Sequence, residues 1–124
     1  MMPQAIHREE RRKHPRYNVK QGTLAFVEAT PCEIIDISES GMAINYVAFN
    51  ERRISSYKFD LFSSDKETYL PHIPGEIVTE IALVPPSPFS VIRTKRLGVQ
   101  FEDLTLDQRS LLRYFIVQSA GRGV

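Results

Sequence analysis

The chain has 124 residues, 42% of them apolar and 25% charged, with a net charge of +1. This is an ordinary soluble composition, sufficient for one domain with its own core. The single cysteine, Cys32, excludes an internal disulfide and a multi-cysteine zinc site, and no apolar run approaches membrane-spanning length.

The N-terminus lacks the apolar core of a signal peptide, so a cytoplasmic protein without membrane insertion is expected. Charge is unevenly placed. Residues 1–20 carry +4 and the remaining residues −3. A basic arm thus leads a mildly acidic body. Its partner should be a local anion or the body itself, because DNA usually calls for a more extended basic surface.

Met1 to Lys20 is polar and charged, and Pro15 pushes His14 away from helical geometry. Nothing apolar repeats there, which predicts a flexible arm over residues 1–20 that is ordered only when something ties it down. Three strands follow. Thr23 to Val27 is short and apolar, and Cys32 to Ile37 comes next. After a turn at Asp36 to Gly41, Met42, Ile44 and Tyr46 alternate with Ala43, Asn45 and Val47. Gly41 is expected where φ is positive or the backbone is closely approached.

Tyr57, Phe59 and Leu61 mark a fourth strand. Ser63 to Gly75, with Pro71 and Pro74, reads as a loop. Glu76 to Val84 reads as a strand with Ile77, Thr79, Ile81 and Leu83 on one face. Two further strands, Phe89 to Lys95 and Leu97 to Glu102, are expected around a basic turn at Arg93 to Arg96. Thr105 to Ser119 is the one helix. Thr105 and Gln108 form a capping box, Leu111, Leu112, Phe115 and Ile116 form the apolar stripe, and Gly121 is the stop. The expected architecture is a small antiparallel β-barrel over residues 21–104, with a C-terminal helix over 105–120 in the same domain.

The residues that carry chemistry are Arg12-x-x-x-Arg16 and Asp36-x-Ser38-x-x-Gly41. An arginine fork pairs bidentately with a phosphate or with the O6/N7 edge of guanine. Asp36 offers two acceptors to guanine donors. Ser38 can donate to a ligand or cap its turn, and Gly41 removes a side chain where a flat ligand would approach. These residue types describe a site for a purine carrying phosphate.

The ordered pair of motifs resembles the signature of PilZ domains, bacterial receptors for cyclic di-GMP. The likeness extends to Leu97 to Phe101 and to the Leu104 to Ile116 helix. It implies a six-stranded antiparallel β-barrel with a C-terminal helix. It also implies that Arg12 and Arg16 grip guanine and phosphate from the arm, that Asp36 and Ser38 hold the other side, and that Gly41 lets the ligand lie close. Arg11, preceding the first motif arginine, goes in that family with a stacked, intercalated ligand pair. Some members place a stacking aromatic near the barrel end, where this chain has Val91.

The resemblance implies a receptor with no cofactor and no chemistry of its own. It would order its arm on binding cyclic di-GMP and signal to a separate protein in motility, secretion or polysaccharide synthesis. The alternatives are a small barrel binding single-stranded nucleic acid, disfavoured by the acidic body and the absence of tryptophan, and a protein-interaction adaptor without ligand. An enzyme is not expected: no triad, metal cluster or phosphate-cradling glycine loop is present. His7, His14 and His72 lack metal-ligand spacing, and Cys32 has no evident activator.

Overall fold

The computed structural model describes residues 14–48, 56–64, 68–83 and 93–120. Among the described residues, seven strands, β1 (Tyr17–Asn18), β2 (Leu24–Val27), β3 (Thr30–Ile37), β4 (Gly41–Ala48), β5 (Ser56–Phe62), β6 (Tyr69–Ala82) and β7 (Arg93–Phe101), precede one helix, α1 (Leu106–Ser119). Every pairing is antiparallel. The order β3-β2-β5-β6-β7-β4 closes on itself because β4 also pairs with β3, giving a six-stranded barrel. The two-residue β1 lies against β3 as a seventh strand.

The alternation in the sequence is what closes the barrel. Met42, Ile44 and Tyr46 of β4 point inward with Ile34 and Ile37 of β3 and Phe59 and Leu61 of β5. The β2–β3 hairpin is tight: Val27 pairs with Thr30, and Glu28 and Ala29 between them have φ of 49° and 71°. Positive φ at both central residues is the geometry that matches strand twist in a two-residue loop.

The α1 N-terminus carries the expected capping box. Gln108 N–H donates to Thr105 Oγ1 at 3.1 Å, and Thr105 N–H donates to Gln108 Oε1 at 2.9 Å. Leu112, Phe115 and Ile116 are buried in the core cluster, each worth about 1.5–3 kcal/mol of burial. Leu111, expected in that stripe, is instead 52% exposed; the barrel side of the helix is filled by Leu112, Phe115, Ile116 and Ser119. The helix ends at Ser119 with Ala120 extended as its cap, and Gly121 lies outside the described residues.

Two expectations in the second half are overturned. Tyr69 to Gly75 is not a loop but the first half of β6. Pro71 and His72 lie opposite Asp60, where the pairing with β5 shifts register. His72 takes φ of 59° and sends its N–H to Asp60 Oδ1 at 2.9 Å. Pro74 accepts from Glu102 N–H at 2.9 Å. A residue's N and C=O leave a strand on the same side, so the missing N–H of Pro74 is not taken from the β5 ladder.

Arg93 to Arg96 is likewise not a turn. It is the start of one continuous strand paired with β4 from Ala48 to Gly41. Its cations find partners across the sheet: Lys95 Nζ meets Glu80 Oε2 at 2.7 Å, and Arg96 Nε donates to Asn45 Oδ1 at 3.1 Å. The expected alternation after Glu76 also breaks. A register shift between Ile77 and Thr79 leaves Thr79, Glu80 and Ile81 all exposed. Among the described residues, no helix is long and apolar enough to cross a membrane.

Candidate ligand-binding site

The end of the arm is laid onto the barrel by backbone pairing. Tyr17 pairs with Ile37 and Asn18 with Asp36. Val19 bridges to Ala120, and Lys20 N–H donates to Ser119 O at 2.8 Å. Tyr17 packs against the core. Arg16, one residue earlier, stays exposed and reaches the carboxylate of Asp36, with Nη1 to Oδ1 at 2.7 Å. Their side chains are 36% and 26% exposed. One fork nitrogen is therefore engaged, in a site open to solvent.

The Asp36–Gly41 turn holds itself. Ser38 N–H donates to Gly41 O at 2.8 Å. The Ser38 hydroxyl is buried and accepts from Ser40 N–H at 3.2 Å, with Gly41 O at 3.4 Å. Ser40 O in turn accepts from Phe101 N–H at 2.9 Å, tying the turn to the end of β7. Gly41 is required for packing. A Cβ there would lie 2.2 Å from Val99 O, so the close approach is that of β7 to β4. Its φ is not in the left-handed region.

Of the residues singled out in the sequence, Arg16, Asp36, Ser38 and Gly41 thus converge on one corner of the barrel. Arg11, Arg12 and Val91 lie outside the described residues. The PilZ domain family model matches residues 10–118, a span containing both motifs. The chain belongs to the PilZ domain family.

The solved PilZ domain with c-di-GMP of YcgR from Escherichia coli has a similar fold. The TM-score is 0.63 at 14% identity, covering 87% of this chain and 91% of that one. No curated protein matches.

Two features of this PilZ domain had no signal in the sequence. Glu39, inside the second motif, accepts from Arg113 Nε of α1 at 3.1 Å, a pair 74 residues apart. Beside it, the arm, the turn and α1 enclose a groove of about 470 Å³. Among the described residues, no three His, Cys, Asp or Glu side chains gather as a metal site. Burial pushes the Cys32 thiol up to about 12, which disfavours the thiolate a nucleophile needs.

Proposed function

We propose that this PilZ domain is a cyclic di-GMP receptor that performs no chemistry on its ligand. The observation that carries the reading is the meeting of Arg16 and Asp36, one from each motif, at 2.7 Å on an exposed corner of the barrel. A guanidinium and a carboxylate so placed complement the two faces of a guanylate. The fork addresses phosphate or the O6/N7 edge, and the carboxylate addresses the ring N–H donors. The YcgR domain of similar fold has c-di-GMP bound, which supports the same ligand class here.

Arg12 joins Arg16 from the arm, and Arg11 favours a stacked pair of ligands over one. Ser38 and Gly41 act on the ligand indirectly. The buried hydroxyl holds the turn that presents Asp36, and the glycine lets β4 and β7 close behind it. Ligand binding orders the basic arm over the anion, and the changed surface is read by a separate protein in motility, secretion or polysaccharide synthesis. The receptor works in the bacterial cytoplasm.

Titration with cyclic di-GMP beside a single-stranded oligonucleotide tests the reading. Saturable binding of the dinucleotide, recovered unchanged afterwards, supports it. Salt-sensitive binding of the oligonucleotide alone overturns it.

A further inference from the structure

The groove beside α1 is lined by neither Arg16 nor Asp36. Pro15 and Tyr17 of the arm, Glu39 of the turn and Arg113, Ile116 and Val117 of α1 line it. It is concave and largely apolar, and the helix continues its chemistry outward. Val117 is 71% exposed, Tyr114 55% and Leu106 82%.

The polar part of this surface is cationic. Arg113 gives its Nε to Glu39, and its side chain remains 61% exposed. Among the described residues, its terminal nitrogens have no partner. Arg109, one helical turn earlier, is exposed, and among the described residues its side chain has none. Arg109, Arg113 and Val117 stand at four-residue spacing, hence in one row along the helix. Asp107 is the only acid on α1.

We propose that this groove and helix row form a docking surface for a partner polypeptide segment that carries a large apolar side chain next to Asp or Glu. The apolar side chain enters the groove between Tyr17 and Val117, and the carboxylate takes the terminal nitrogens of Arg113, with Arg109 as the second cation. Charge selects this occupant. A second copy of the chain docked by the same face would set Arg109 and Arg113 of each copy against cations. Two arginines beside a concave slot suit a protruding side chain better than a flat anionic bilayer.

A random peptide library panned on the immobilised full chain, followed by titration of a synthetic consensus peptide, tests the surface. The expected consensus pairs a large apolar residue with Asp or Glu. Arg109→Glu, Arg113→Gln and Val117→Asp should each weaken the peptide by about tenfold or more. All three positions are exposed, so unchanged thermal melting is expected and checks that each variant is folded. Three results overturn the proposal: basic or acid-free selected peptides; a peptide whose binding all three variants retain; or binding of the chain to phosphatidylglycerol vesicles with no peptide enriched. The readout does not depend on whether cyclic di-GMP binds.

Discussion

Arg16 and Asp36, twenty residues apart in the chain, meet at 2.7 Å where β1 lies against the end of β3. The pair is partly exposed, so its own contribution to stability is small, about 0–1 kcal/mol. Under the proposed function its value to the ligand is larger, because the fork and the carboxylate are already positioned. Arg16→Ala should therefore separate the two quantities. Unfolding by denaturant is expected to change by about 1 kcal/mol or less. Cyclic di-GMP affinity is expected to fall by about 1–3 kcal/mol, by analogy with a bidentate guanine contact.

Gly41→Ala should act on the fold. The added methyl would sit 2.2 Å from Val99 O, a backbone atom that cannot turn aside. A cost of about 1–3 kcal/mol or more is expected from overpacking. Gly98→Ala offers the control. Its methyl would meet Thr79 Oγ1 at the same distance, but that hydroxyl belongs to an exposed side chain that can rotate away. Urea midpoints should rank wild type, then Gly98→Ala, then Gly41→Ala.

The organisation of the barrel was legible where local chemistry decides local structure. Alternation marked β4, and the capping box marked the start of α1. It was illegible where a neighbour strand decides. Pro71 and Pro74 read as a loop because a proline lacks a donor, yet the bulge opposite Asp60 and the exit side of Pro74 let β6 stay paired with β5 on either side of the bulge. Arg93 to Arg96 read as a turn because four residues hold three cations. Glu80 and Asn45 on the flanking strands make a strand of them. Within the site, the two motifs pointed to Arg16 and Asp36. Spacing carried no trace of the Glu39–Arg113 contact, which exists only once α1 has packed on the barrel.

Removing a core anchor from that helix should be costly. Phe115 is fully buried, so Phe115→Ala is expected to destabilise by about 3–5 kcal/mol. Thr105→Ala, which removes only the cap, should cost about 1 kcal/mol. Thermal melting of the two variants should show that order.

Cys32 provides a pH test. Burial raises its thiol from 9.0 to about 12 in the folded state. Below pH 9 both states hold the proton and the group is neutral to stability. From about pH 9 to 12 the unfolded chain releases it and the folded chain does not, so stability falls as pH rises through that window. Cys32→Ala should flatten this part of the profile in denaturant titrations. Thiol alkylation of the native wild type at pH 8 should be far slower than after unfolding.

Calorimetric titration of cyclic di-GMP into the full chain, run beside Arg16→Ala, tests the central claim most directly. The account predicts saturable heat with the wild type at tens of micromolar protein, about the range of signalling ligands, two ligands per chain if Arg11 supports a stacked pair, and a clear loss of affinity in the variant. No heat with the wild type, or equal affinity in Arg16→Ala, would contradict it.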